Sequence, residues 1–301
     1  MKRLSIKRAG LVLGLALCMT AQPCYAEEGT LSPPTEKAEG AGSVFDGSQQ
    51  SSGEAVTDEK LQTLFSQLGL PASNGSWAVY VCDLFNNSEG TVGDSKMQAA
   101  SLIKLYIMGA IYENYDSITG QYGQSSVDSI LYSMITVSDN ESFNELVRLQ
   151  TASGVFADGA EKINAYLEKE GYTATTVQHV LSPSVSTDPG LGGRNMTSVG
   201  DCGKLLERIY RGTCVSKKDS EKMLDLLLSQ EVTWKIPAGV PAEAKIANKT
   251  GETDDDQHDI AIIYGEKTTY ILCVMSENGG ETAGANIQAL SGIVYNYLNM
   301  E

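Results

Sequence analysis

From Leu102 to Ile111 the chain carries apolar side chains around nearly the whole circumference of a helix: Leu102, Ile103, Leu105, Ile107, Met108, Ala110 and Ile111. Such a helix has no face to give to water, so it belongs in the middle of a domain with other elements packed around it. Two polar residues stand at its N-terminal end, Ser101 and Lys104. Spaced by three, they share a helical face one turn apart. A serine hydroxyl must hand its proton to a base as it attacks. A buried lysine has its pKa lowered and can be that base. The positive end of the helix dipole helps an oxyanion that develops at Ser101.

Two further segments follow in order. Ser138-Asp139-Asn140-Glu141, taken alone, fits a capping box with Ser138 as the N-cap and Glu141 three residues on. Lys249-Thr250-Gly251, taken alone, reads as the end of a strand over Ala244 to Asn248 closed by a glycine turn. Each segment by itself is a weak signal. Their joint occurrence, at a buried helix start, a helix-joining loop and a strand end, is specific to one kind of serine acyl-transfer site.

On these three segments the chain resembles the class A β-lactamases and their relatives among the penicillin-binding proteins. The resemblance runs from about Thr57 to Glu301 and takes in Trp234-Lys235-Ile236-Pro237 before the third motif and Arg194-Asn195-Met196-Thr197 before a long helix. It implies that Ser101 is the nucleophile, Lys104 its proton acceptor or relay, and Ser138 the group that passes a proton to the leaving nitrogen. Asn140 would hold the substrate amide. Lys249 and Thr250 would bind its carboxylate, with Gly251 completing that motif, and the backbone N–H groups of Ser101 and Glu252 would form the oxyanion hole. The implied substrate is a small molecule, a β-lactam or a D-alanyl peptide, turned over by a monomer without metal or organic cofactor. A D-alanyl-D-alanine peptidase or transpeptidase of cell-wall metabolism is the first alternative, and a non-catalytic wall-peptide binding domain the second. A binding module has no need of a buried amine beside a serine, which speaks against the second.

The chain departs from the family pattern in three places. Class A enzymes carry a glutamate that activates the deacylating water in the loop ahead of the Arg-x-x-Thr segment. Here that stretch, Leu181 to Gly193, holds Asp188 as its one carboxylate, beside Pro189, where a turn role fits better than a base. The connection from Ser101 to Ser138 is short, which predicts an open cleft. Glu252 beside a carboxylate site would repel the substrate unless Lys249 or Arg194 offsets its charge.

Composition fits an exported enzyme. Lys2, Arg3, Lys7 and Arg8 precede an apolar run from Ala9 to Met19, and Cys24-Tyr25-Ala26 offers a cleavage site, so residues 1–26 read as a signal peptide. The run is shorter than the roughly 20 residues of a spanning helix, so no transmembrane helix is expected in the mature chain. Residues 27–56 read as a disordered linker and 57–301 as the folded domain. With 22 basic and 38 acidic residues, four of the basic ones in the signal, the mature chain carries 18 − 38 = −20, which argues against nucleic-acid binding. Cys82, Cys202, Cys214 and Cys273 remain after processing. Cys202 and Cys214 lie too far apart along a helix to bridge, and Cys82 and Cys273 read as small buried residues. His179 and His258 are too few for a Ser-His-Asp triad, and His258 beside Asp254-Asp255-Asp256 reads as part of a solvated loop.

The expected fold is α/β in composition and α+β in layout. Helices are predicted at Asp58 to Leu68, Val127 to Thr136, Glu141 to Leu149, Ala160 to Glu170, Val199 to Arg211, Lys217 to Leu228 and Ala285 to Leu298, and strands at Trp77 to Cys82, Ala244 to Asn248, Asp259 to Tyr264 and Thr269 to Met275. Strands near both ends with helices between them predict one antiparallel sheet, built from the N- and C-terminal parts and covered by helices, with an all-helical lobe inserted. The site then falls between lobe and sheet.

Overall fold

The computed structural model describes residues 54–181 and 188–300. The expected signal peptide, the expected linker up to residue 53 and the middle of the loop ahead of Arg194 lie outside the described residues. Helix α1 (Asp58–Ser66) is capped by the Thr57 hydroxyl, which accepts from the Lys60 N–H. Strands β1 (Ser76–Asp83) and β2 (Ser88–Val92) form a hairpin, and the two-residue β3 (Met97–Gln98) leads into a tight turn at Ala100–Leu102. Helices α2 (Ile103–Glu113), α3 (Tyr115–Tyr122), α4 (Gln124–Thr136), α5 (Asn140–Arg148) and α6 (Phe156–Glu170) follow. After β4 (Met196–Thr197), which pairs with β3, come α7 (Val199–Tyr210) and α8 (Lys217–Leu228). The chain closes with β5 (Lys245–Glu252), β6 (Gln257–Tyr264), β7 (Thr269–Glu277) and α9 (Ala283–Asn299).

The large sheet is antiparallel in the order β2-β1-β7-β6-β5, so strands from both ends of the domain meet at the β1–β7 pair. Its central strand is buried from Thr269 to Ser276. Period-two geometry divides those side chains between two cores. Ile271, Cys273 and Met275 face α7 and the helical lobe together with Ala78, Tyr80 and Cys82 of β1. Tyr270, Leu272 and Val274 face the other way with Val79 and Val81, against Leu61 and Leu64 of α1 and Ile287, Leu290 and Val294 of α9. Helix α2 is buried at every residue from Ile103 to Tyr112, as its sequence requires. Val56, the last residue of the expected linker, is buried in the second core.

Several elements differ from the sequence reading, each for a local reason. Ser88-Glu89-Gly90-Thr91-Val92 has no apolar alternation, yet it forms β2 because it pairs with β1 and packs on the start of α1. A Cβ at Gly90 would come 2.6 Å from the Thr57 carbonyl carbon. Helix α6 begins a turn before Ala160, at Phe156, whose ring is buried beside Phe143. Strand β5 runs on through the third motif to Glu252, so Lys249, Thr250 and Gly251 lie inside a ladder rather than at a strand end. His258 is a fully buried member of β6, not part of a solvated loop: its Nδ1 accepts from the Ser276 N–H and its Nε2–H donates to the Gln98 carbonyl. Burial lowers its pKa to about 4. Cys82, Cys202, Cys214 and Cys273 are all buried and unbridged.

Candidate active site

Ser101 stands on the turn ahead of α2, preceded by Ala100 at φ 45°. A left-handed conformation costs a non-glycine residue about 1–2 kcal/mol. The turn is held by the Leu102 N–H on the Ala99 carbonyl and by the Ala99 N–H on Asn195 O at 2.8 Å. Lys104 follows in the first turn of α2, fully buried.

The Lys104 Nζ lies 2.9 Å from Ser101 Oγ, 2.6 Å from the Ser138 carbonyl oxygen, 2.7 Å from Asn140 Oδ1 and 3.1 Å from Ser138 Oγ. The Ser138 carbonyl and Asn140 Oδ1 can only accept. They use the two N–H bonds of a neutral amine and leave its lone pair for the serine hydroxyls. Burial brings the Lys104 pKa down to about 7, against the opposing pull of Asp139.

Ser138 is not a helix cap. The N-cap of α5 is Asp139, whose Oδ2 accepts from the Ser142 N–H at 2.6 Å, and Ser138 sits one residue outside at φ 60°. Its hydroxyl is thereby released to the site, 2.9 Å from Lys249 Nζ as well as 3.1 Å from Lys104 Nζ. Lys249 is fully buried and also donates to the Thr250 carbonyl. Its pKa lies well below the ordinary lysine value, through burial first and the nearby charge of Lys104 second. Behind it, buried Asp259 accepts from Asn248 Nδ2 and the Ile236 N–H, and burial raises its pKa to about 7. A Cβ at Gly251 would lie 3.2 Å from both Ala99 O and Leu102 Cγ, so the glycine lets β5 approach the Ser101 turn.

Two cavities share Ser101, Asn140 and Glu252. One, of about 650 Å³, is further lined by Val137, Ser138, Glu231, Trp234 and Thr250. Thr250 rather than Lys249 thus reaches its wall. The other, of about 450 Å³, lies toward Gln98, His179, Leu181, Arg194 and Asn195. Its one carboxylate is Glu252, among the described residues.

Lys235, quoted in the sequence only as part of the approach to the third motif, proves to be a fully buried cation. It pairs with Glu252 Oε1 at 2.8 Å. The charge that Lys249 or Arg194 was expected to offset is met by Lys235 instead. The signal for this was a lone lysine in the otherwise apolar run Trp234, Ile236, Pro237. Asn195, quoted in the sequence only within the Arg194-to-Thr197 segment, also has a structural role. Its side chain accepts from the N–H groups of Gln178 and His179 and donates to the His179 carbonyl, fixing the base of the loop. Asn144 fixes Leu181 by a two-way bond to its backbone. Asp188 Oδ1 accepts from the Gly190 N–H, the turn role its sequence suggested, and Asp188 lines neither cavity.

Comparisons with known proteins agree with this fold. The family model described as "Beta-lactamase enzyme family" matches residues 117–298, which include Ser138, Asn140 and Lys249 but begin after Ser101 and Lys104. PBP-A is similar in structure with a TM-score of 0.67 and 22% identity, covering 80% of this chain and 97% of that one. A β-lactamase from Xanthomonas campestris has a TM-score of 0.66 and 17% identity over 80% of this chain and 98% of its own, and one from Sphaerobacter thermophilus has 0.66 and 17% over 81% and 98%. The comparison with curated proteins gives no match. With the sheet, the inserted helical lobe and the matched segment taken together, the chain belongs to the beta-lactamase enzyme family and is a serine hydrolase of that type.

Proposed function

We propose that the protein is an exported hydrolase that opens β-lactam-type substrates through an acyl-enzyme at Ser101 and releases the product slowly. The observation that carries this reading is the Lys104 amine 2.9 Å from Ser101 Oγ, both its N–H bonds directed at fixed acceptors and its pKa near 7. Ser101 Oγ attacks the substrate carbonyl carbon while its proton passes to the Lys104 lone pair. The N–H groups of Ser101 and Glu252 receive the oxyanion. As the C–N bond breaks, the proton moves from Lys104 through the Ser138 hydroxyl to the leaving nitrogen, and the acyl group remains as the Ser101 ester. Asn140 holds the substrate amide. Thr250, with the charge of Lys249 behind it, receives the carboxylate. Water then gives its hydroxyl to the acyl carbon and a proton back to Ser101 Oγ.

A second reading has a specific support. The cavity on the loop side of Ser101 has Glu252 as its one carboxylate among the described residues, and Glu252 is paired with Lys235. Slow deacylation suits a D-alanyl-D-alanine peptidase or transpeptidase, and PBP-A is among the similar structures. A leucine-to-glutamate variant of PBP-A is described as an acyl-enzyme complex with penicillin-G. Export rests on residues 1–26. Among the described residues no helix is long and apolar enough to cross a membrane. Intact-protein mass spectrometry with a panel of β-lactams and D-alanyl-D-alanine peptides tests both readings. A penicillin should add its full mass at Ser101. Absence of any adduct and of any turnover across the panel would leave only a wall-peptide binding role.

A further inference from the structure

Lys235 does more than neutralise a neighbour. Its Nζ has three oxygen neighbours, Glu252 Oε1 at 2.8 Å, the His258 carbonyl at 3.1 Å and the Gly251 carbonyl at 3.4 Å, and no donor among them. Three acceptors match the three N–H bonds of an ammonium. Gly251 and His258 are registered opposite each other on β5 and β6, so the cation bridges the two strands at the active-site end of the ladder. The face of Trp234 lies 4.9 Å away and covers it.

The Gly251 carbonyl and the Glu252 N–H belong to one peptide unit. In a trans peptide the two point in opposite directions. A cation fixed on the carbonyl therefore sets where the N–H points, and by polarising the amide it strengthens that N–H as a donor. The carboxylate of the same Glu252 borders both cavities that contain Ser101, where it would oppose a substrate anion. Drawn onto Lys235, it is held off the anion site.

We infer that Lys235 is a positioning residue for acylation, holding the Gly251–Glu252 peptide with its N–H toward Ser101 and withdrawing the Glu252 carboxylate from the substrate's anion. This rests on the acyl-enzyme reading given above. It separates into two effects. Loss of the peptide's orientation slows every acylating substrate, whereas release of the Glu252 charge slows only substrates that carry a carboxylate.

The test measures the acylation rate constant of Ser101 by a penicillin and by the methyl ester of the same penicillin, in the wild type and in Lys235→Met, Lys235→Arg, Glu252→Gln and the Lys235→Met/Glu252→Gln double variant. Thermal melts establish folding. Lys235→Met should slow both substrates by roughly tenfold or more, the lower range for a weakened oxyanion donor, and the free acid more than the ester. Glu252→Gln in the Lys235→Met background should remove the excess loss on the free acid. Lys235→Arg should recover most of the rate. Folded Lys235→Met that acylates within threefold of wild type overturns the inference, as does an equal loss on both substrates that the double variant leaves unchanged. Should Lys235→Met not fold, Lys235→Gln, which keeps a donor but no charge, takes its place under the same criteria. A wild type that no β-lactam or D-alanyl peptide acylates refutes the parent reading, and this inference falls with it. A wild type that is acylated, beside an unaffected Lys235 variant, refutes this inference alone.

Discussion

Lys104 of α2 and Lys249 of β5 both place their side-chain nitrogens within hydrogen-bond distance of one hydroxyl, that of Ser138, at 3.1 and 2.9 Å. Both cannot hold a proton cheaply at that spacing, since each disfavours the charge on the other. The pair therefore sorts itself into roles. On the proposed mechanism Lys104, 2.9 Å from Ser101 Oγ, exchanges the proton, and Ser138 is the path by which it leaves.

Ser101→Ala should abolish covalent labelling by a penicillin, and Lys104→Ala should slow it by orders of magnitude with the fold intact. Losing a placed general base costs on the order of 10²–10⁴ in rate. Mass spectrometry of the intact protein and of its peptides reads both. Labelling of Ser101→Ala at a second residue at the wild-type rate would move the nucleophile elsewhere.

The acylation rate should depend on pH through Lys104. Its pKa of about 7 means that the competent neutral amine predominates above that value. The rate should climb with pH through about 7 and level off above it, and stopped-flow acylation with a chromogenic β-lactam checks this. Stability carries the same sign. Between about 7 and the ordinary lysine range the unfolded chain keeps a proton that folded Lys104 has lost, so this group's contribution to stability rises with pH across that window.

Lys249→Ala should slow acylation by a carboxylate-bearing substrate by about 1.5–3 kcal/mol, the worth of a charge-assisted contact. Because Lys249 also holds Ser138 in place, part of that loss should extend to a carboxylate-free ester of the same substrate. An unchanged rate would put the anion elsewhere, with Arg194 the next candidate.

Pre-steady-state turnover of a chromogenic β-lactam should show a burst of acylation followed by slow release, and Asp188→Asn should leave both phases unchanged. Leu181→Glu, which sets a carboxylate on the wall of the loop-side cavity, should speed the slow phase. Burst-free turnover that Asp188→Asn stalls at the acyl-enzyme would make Asp188 the base.

The sheet and the buried helix were legible in sequence because each follows from a period, and the three motifs because their joint order resembles one family. Leu102 to Ile111 permits no exposed face, and Ser101 to Lys104 is one helical turn. What was not legible depends on long-range approach. Glu89 and Thr91 look like loop residues until β1 pairs with them. The Ser138 segment reads as a capping box with Ser138 at the N-cap, and only the fold moves the cap to Asp139. Lys235 finds Glu252 across the sheet end, a contact no local pattern encodes. His258 looked solvated beside three aspartates, yet β6 is covered on both faces, and every residue from His258 to Ile263 is buried.

Helix α2 is buried from Ile103 to Tyr112, and it carries Lys104 while Ser101 stands on the turn that leads into it. The alignment of Ser101 and Lys104 is therefore set by the same side chains that hold the domain together. Thermal inactivation and thermal unfolding of this enzyme should trace one curve, with no inactive native-like state between them. A core substitution such as Ile107→Ala, at a cost of about 2–5 kcal/mol, should lower the temperature of both by the same amount.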